Sequence, residues 1–143
     1  MKLNQISVFL EDKKGRLFEV CSVLGEGGIN IRALTIAESR GYGVARMVVD
    51  KPDAAMDVLK GKGFVAEKTE IVAVQVADRP GGLANILKIL YEKDVNVEYM
   101  YGFVEKFSDK ALMVFRFENP DEGLAVLSEN GVKVLGTKDI VNL

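Results

Sequence analysis

The feature that most constrains this chain is an internal repeat. Six residues of one half match the other half at a single offset of 66 residues, in order and without gaps: Asp12 with Asp78, Gly15 with Gly81, Leu17 with Leu83, Leu24 with Leu90, Glu26 with Glu92 and Asn30 with Asn96. Further along, Pro52 matches Pro120 and Gly63 matches Gly131 at an offset of 68. A repeat of this kind is one structural unit used twice. We therefore expect two units, residues 1–68 and 69–143.

The two copies differ in length at one place. Two residues are added between Asn96 and Pro120, where residues 106–110 stand opposite residues 39–43 of the first copy. A hairpin turn tolerates such a change because its residues lie on the surface. We predict a hairpin turn at both places.

Each copy begins with the pattern of a strand and then a helix. The opening segments alternate apolar and polar residues, as in Ile6, Val8 and Leu10, which indicates a strand. The next segments place apolar residues at helical spacing, on a stripe suited to packing on a sheet. The stripe consists of Leu17, Val20, Cys21 and Leu24 in the first copy, and of Leu83, Ile86, Leu87 and Leu90 in the second.

The rest of each copy predicts two strands, a helix and a last strand. The strands form hairpins at residues 30–38 with 42–50 and 96–106 with 110–118. Pro52 and Pro120 stand where the first turn of a helix accepts proline. Residues 64–66 and 132–135 supply the last strands.

This order of elements, βαββαβ, predicts an α+β fold of two ferredoxin-like units. Right-handed crossovers place the first strand of each unit in the middle of its sheet and the second at an edge. The predicted edge strands are long and apolar, and an uncovered edge of that kind aggregates. We expect them to cover each other, so that the units pair side by side in one eight-stranded antiparallel sheet with the helices on one face. Alternatively, the edge strands are covered by a second copy of the chain in a homodimer.

Composition argues against several classes of function. With one cysteine and no histidine, the chain has neither an internal disulfide nor a Cys/His metal cluster. Its formal net charge of −2, with both signs interspersed, offers no basic face to nucleic acid. No apolar run reaches the roughly 18 residues of a membrane span, and the first residues lack the apolar core of a secretion signal. We expect a cytoplasmic protein without a metal, a cofactor, nucleic acid or a membrane as partner.

The candidate binding residues lie in the turns between the first strand and first helix of each copy. The turns read Asp-Lys-Lys-Gly-Arg-Leu from Asp12 and Asp-Arg-Pro-Gly-Gly-Leu from Asp78. Glycine there lets the backbone approach a bound group, and the helix N-terminus favours an anion such as a carboxylate. The two aspartates are also placed to cap the helices. Alternatively, the glycines are simply turn residues.

Asn30 and Asn96 begin the predicted edge strands, and each carries both a hydrogen-bond donor and an acceptor. Their simpler role would be to close a turn. Together with the two turns, they carry a family resemblance. The pattern Asp-x-Pro-Gly-x-Leu, a helix, and then Gly-Ile-Asn-Ile or its equivalent resembles the ACT domain, a regulatory module that typically binds amino acids.

The resemblance covers nearly the whole chain, twice. The first copy departs from the family at Lys14, where proline is usual, and keeps Gly28-Ile29-Asn30-Ile31. The second copy keeps the full turn pattern: Asp78, Pro80, Gly81, Leu83 and Asn96.

The resemblance implies a ligand at the seam between two paired copies. Backbone groups around Gly15 and Gly81 would hold the carboxylate of a free amino acid or similar small carboxylate. Asn30, Asn96 and neighbouring backbone of the opposite copy would hold its ammonium group, with Arg16 and Arg32 as supplementary anion contacts. The full implied set is Asp12, Lys14, Gly15, Arg16, Leu17, Asn30, Ile31, Asp78, Pro80, Gly81, Gly82, Leu83, Asn96 and Val97. No catalytic residue is implied.

Three classes of function follow. The main hypothesis is an amino-acid-binding regulatory or sensor protein, read out by a partner such as a regulated enzyme or transcription factor. The second is a protein–protein assembly module without a ligand. The third is a small enzyme, against which the sequence argues because it has no histidine, no Ser or Cys beside a base and no obvious carboxylate pair. The identity of the amino acid, the number of occupied sites and the choice between monomer and dimer stay open.

Overall fold

The computed structural model describes residues 1–104 and 109–143. The chain forms two compact units: Asn4–Thr69, and Glu70–Leu143 together with Met1–Leu3. Most of the predicted hairpin turn at residues 106–110 lies outside the described residues.

The first unit is a sheet with two helices on one face. Its elements are β1 (Leu3–Glu11), α1 (Arg16–Glu26), β2 (Ile31–Ser39), β3 (Tyr42–Val49), α2 (Pro52–Gly61) and the beginning of β4 (Val65–Ala77). Strand β3 pairs antiparallel with both β1 and β2. The alternating residues Ile6, Val8 and Leu10 of β1 pack with buried residues of both helices. Their alternation therefore sets the face that the helices cover.

The second unit repeats this arrangement. It contains the rest of β4, then α3 (Gly82–Glu92), β5 (Val97–Gly102), β6 (Lys110–Phe117), α4 (Pro120–Glu129), β7 (Val134–Leu135) and α5 (Thr137–Val141). Strand β4 pairs antiparallel with β6 and β7, and β6 also pairs with β5. Val72, Val74 and Val76 pack with Ile86 of α3 and Leu127 of α4.

The α+β class and the two βαββαβ repeats are confirmed. Strands β2 and β5 stand at the ends of the strand order, as predicted for edge strands. Each has one hydrogen-bonded neighbour, β3 and β6 respectively. The pairings of the described strands do not include β2 with β5, so the expectation that these two strands cover each other is wrong.

The junction is a continuous strand. The last strand of the first repeat and the first strand of the second are one element, β4 (Val65–Ala77), so the described residues form seven strands and not eight. Residues 66–70 contain no glycine, proline, asparagine or aspartate, and hence no residue that favours a turn.

The helices differ from expectation in two details. Val20, Leu24, Ile86 and Leu90 are buried on the predicted stripes, but Leu83, in the first turn of α3, is 36% exposed. The short helix α5 had no periodic signal in the sequence. It begins after Gly136, whose N–H donates to the Asp139 carboxylate at 2.8 Å.

Candidate ligand-binding turns

The two strand-to-helix turns share one backbone geometry. The residue before the first helical position is Gly15 in the first unit (φ 90°, ψ −9°) and Gly81 in the second (φ 82°, ψ −5°). Residues with a side chain rarely adopt this left-handed conformation, which explains the glycine at both positions. The repeat therefore extends from the sequence to the backbone angles.

Backbone hydrogen bonds hold the first turn. The Lys13 N–H donates to the Glu11 carbonyl at 2.8 Å, and the Arg16 N–H donates to the Lys13 carbonyl at 3.3 Å. The Asp12 N–H donates to the Gly41 carbonyl at 3.1 Å. This last bond ties the turn to the hairpin between β2 and β3.

The second turn repeats these bonds at matched positions. The Arg79 N–H donates to the Ala77 carbonyl at 2.9 Å, and the Gly82 N–H donates to the Arg79 carbonyl at 3.0 Å. The Asp78 N–H donates to the Asp109 carbonyl at 3.4 Å. Both turns are thus fixed at the same three points.

Both turns leave N–H groups of the following helix uncapped. The first helical bond of α1 runs from the Glu19 N–H to the Gly15 carbonyl, and that of α3 from Asn85 to Gly81. The N-cap residue of each helix is a glycine, which has no side chain to cap these groups. The donors left without a helical acceptor are the N–H groups of Leu17, Phe18, Leu83 and Ala84.

Asp12 and Asp78 were expected to cap these helices, and that expectation is wrong. The N-cap residue is the glycine three positions further on, and glycine has no side chain to accept a bond. Both aspartates are exposed, and their N–H groups hold the turns as described above.

A group of alternating charges surrounds the first turn. The Lys13 Nζ lies 2.8 Å from Glu11 Oε2, and Arg16 contacts both Glu11 (3.5 Å) and Glu19 (3.1 Å). The hydrogen bond from Lys13, followed by the charges of Lys13 and Arg16, lowers the pKa of the Glu11 carboxyl. Arg16, predicted as a supplementary anion contact, is thus already paired with two carboxylates.

The turns differ in the room they leave at the first helical position. A Cβ on Gly82 would lie 1.9 Å from the Ala77 carbonyl oxygen, so the second turn has no space for a side chain there. The first unit carries Arg16 at the matched position. The exposed Lys14 of the first turn is matched by Pro80, whose ring fixes the local backbone angle.

The two asparagines directly precede the edge strands. The Asn30 N–H donates to Asp50 Oδ1 at 2.9 Å, and the Asn30 carbonyl accepts from the Asp50 N–H at 3.1 Å. Asn96 lines a cavity of about 300 Å³ in the second unit. Ile31 and Val97 follow as the first, half-buried residues of β2 and β5.

Within one unit, the turn and the asparagine lie at opposite ends of the sheet. Glu11 stands opposite Tyr42 at one end of β3, and Ile31 stands opposite Val49 at the other. The eight residues of β3 are separated by seven steps of about 3.3 Å, so the two ends of the strand are roughly 23 Å apart. The second unit has the same register. The structure therefore does not bring Asn30 to the turn of its own unit.

Two cavities adjoin the first turn. The smaller, of about 130 Å³, lies between the turn and residues of β2 and β3. The larger, of about 660 Å³, is lined by apolar side chains that sequence reasoning missed: Phe9, Phe18, Tyr42, Phe64 and Val65. The sequence contains one indication of this apolar surface, because Phe18 lies outside the apolar stripe of α1. In the structure its side chain is 75% exposed.

Among residues 1–104 and 109–143, no three His, Cys, Asp or Glu side chains lie close enough together to hold a metal ion. No helix of the described chain has the length and hydropathy to cross a membrane.

The fold and the doubled turn define a tandem pair of small ferredoxin-like modules. A family model described as an ACT domain pair matches residues 1–143. The chain belongs to this family.

Several solved structures share this fold. The chain is similar to protein BT0572 from Bacteroides thetaiotaomicron, with 38% identity over 100% of this chain and 98% of that one, and a TM-score of 0.93. The ligand-free regulatory subunit of aspartate kinase from Thermus thermophilus shares the fold at 17% identity, with 90% and 92% coverage and a TM-score of 0.64. The regulatory subunit of aspartate kinase from Thermus flavus shares the fold at 18% identity, with 88% of this chain and 90% of that one covered and a TM-score of 0.58. No curated protein sequence matches the chain.

Proposed function

We propose that this chain is a regulatory or sensor protein that binds a free amino acid through its strand-to-helix turns. The observation that carries the proposal is the doubled, uncapped turn. Gly15 and Gly81 share one left-handed conformation, and each is the N-cap residue of a helix and has no side chain to bond the first helical N–H groups. A carboxylate satisfies such donors, and the helix dipole favours its charge.

The other predicted residues have supporting roles in this proposal. Asp12 and Asp78 hold the turns through their N–H groups, and Pro80 stiffens the second turn. Asn30 or Asn96 contacts the ammonium group of the ligand. Each asparagine lies at the far end of the sheet from the turn of its own unit, so it does not contact a ligand that this turn holds.

The family of the chain and the proteins that share its fold support a regulatory role. The family is an ACT domain pair, and two proteins that share the fold are described as regulatory subunits of aspartate kinase. By this proposal the chain catalyses no reaction itself. It responds to the level of an amino acid in the cytoplasm and acts on a regulated enzyme or transcription factor, alone or as a homodimer.

An assembly role is the second candidate, and the exposed edge strand β2 favours it. Ile36 of that strand is 47% exposed, and an edge strand offers unpaired backbone groups to another chain. This candidate predicts a stable protein complex whose formation is unaffected by amino acids.

Amide NMR during titration with each amino acid tests the proposal. We expect a binding amino acid to shift the N–H signals of Leu17 or Leu83 early and saturably. The Gly81→Ala variant forces a side chain into the left-handed region and should weaken binding at the second turn at least about tenfold. Gly61→Ala is the matched control, because Gly61 lies at the end of α2 with no atom within 4 Å of a new Cβ. Shifts confined to residues away from both turns would contradict the proposal.

A further inference from the structure

The larger cavity of the first unit has the volume and the lining of a small-molecule site. We call it the aromatic groove and define it by Phe9, Phe18, Tyr42, Phe64 and Val65. Its volume of about 660 Å³ lies in the range of ligand sites, which are mainly apolar with a few polar groups. Phe18 and Val65 are 75% and 66% exposed, so the groove presents apolar surface to solvent. Contiguous apolar surface of this kind usually marks a binding site.

The aromatic groove is continuous with the first turn. It shares Leu10, Glu11, Arg16 and Tyr42 with the smaller cavity at the turn. Phe18 joins the two regions directly, since its N–H is one of the uncapped donors of α1 and its side chain lines the groove. The combined space has charged side chains and uncapped N–H groups at the turn, and beyond the turn its aromatic and aliphatic side chains are joined by Ser22, Glu26 and Lys62.

The second copy has no aromatic residue at the positions matched to the aromatic groove. The matched positions are Gln75 for Phe9, Ala84 for Phe18, Lys110 for Tyr42, Val132 for Phe64 and Lys133 for Val65. Since both copies have the same fold, the fold itself does not require aromatic residues at these positions. The aromatic groove is therefore specific to the first unit and is not a consequence of the shared fold.

From these observations we infer that the first unit selects an amino acid with a large apolar or aromatic side chain, which lies in the aromatic groove. The inference rests on the proposed function, because the turn must hold the ligand's carboxylate. It adds the ligand class, and it separates the two units: the second turn has no such selectivity. The occupant follows from two neighbouring features: the N–H donors of the turn suit the charged head group, and the five aromatic and aliphatic side chains of the groove suit an apolar side chain.

Calorimetric titration with L-phenylalanine, L-leucine, glycine and L-aspartate tests the inference on the full chain. We expect the two apolar amino acids to bind at least about tenfold more tightly than glycine or aspartate. Phe18→Ala and Val65→Lys each install the residue of the second copy, and both positions are largely exposed, so the fold tolerates them. Each should weaken phenylalanine binding about tenfold.

Tyr91→Ala is the matched control. Tyr91 is an aromatic residue of α3 that is 82% exposed and lies outside the groove, so its removal should not alter binding. If glycine or aspartate binds as tightly as phenylalanine, or if neither groove variant weakens phenylalanine, the inference is wrong while the proposed function stands. If no amino acid binds, the proposed function fails and the inference falls with it. If Phe18→Ala dissociates a dimer and leaves binding intact, the groove is an interface between copies and the inference is overturned.

Discussion

Replacing Gly82 by alanine should destabilise the second unit through a single steric conflict. The new Cβ would lie 1.9 Å from the Ala77 carbonyl oxygen and 3.0 Å from its carbon, and both are backbone atoms. The turn must therefore shift, and overpacking of this kind costs about 1–3 kcal/mol. Alanine's better helix propensity offsets at most about 1 kcal/mol of that cost. The net change should lower Tm by about 4–8 °C for each kcal/mol lost.

Thermal and urea unfolding of Gly82→Ala measure this loss, with Arg16→Ala as the control at the matched position of the first unit. That position already holds a Cβ, so the control loses only partly exposed ion pairs, worth about 0–1 kcal/mol. Because the turn moves, Gly82→Ala should also weaken amino-acid binding at the second turn. A Gly82→Ala protein that is more stable than the parent would refute the steric reasoning.

Three further changes test the packing elsewhere in the chain. Gly123→Ala places a Cβ 2.2 Å from the Phe117 ring and should lower the unfolding free energy by about 1–3 kcal/mol in urea; an unchanged midpoint contradicts this. Asn119→Ala removes the side-chain cap that accepts from the Glu122 N–H at 3.2 Å and should cost about 1 kcal/mol, whereas Asn119→Asp should retain most of it. Burial raises the pKa of the Cys21 thiol, so iodoacetamide at pH 8 should alkylate it more slowly than free cysteine, and an equal rate counts against that environment.

Local features of the fold could be predicted from the sequence because they depend on neighbouring residues. The offset between Gly15 and Gly81 placed both turns, and Pro52 and Pro120 marked the starts of α2 and α4. The positions of the edge strands followed from the order of the elements. Each of these depends on backbone preferences that single residues express strongly.

Features that depend on long-range contacts could not be predicted. The aromatic groove joins Phe9 and Val65, which are far apart in the sequence and carry no shared pattern. The absence of room at Gly82 depends on the exact path of the turn, which places the Ala77 carbonyl beside Gly82, and residue types alone do not determine that path. The continuity of β4 was not predicted, because the charged residues 67–70 break the alternation of apolar and polar residues between the two predicted strands.

The most direct test of the central claim is a thermal-unfolding screen of the chain against the twenty amino acids at millimolar concentration. A ligand at 100 times its Kd stabilises the folded state by about 2.7 kcal/mol, which raises the Tm of a small domain by several degrees. We predict that one amino acid or a few related ones raise Tm, and that Gly81→Ala or Asn96→Ala reduces the shift. If no amino acid raises Tm, the claim that the doubled turn binds an amino acid is contradicted, and the edge strands become the place to look for a protein partner.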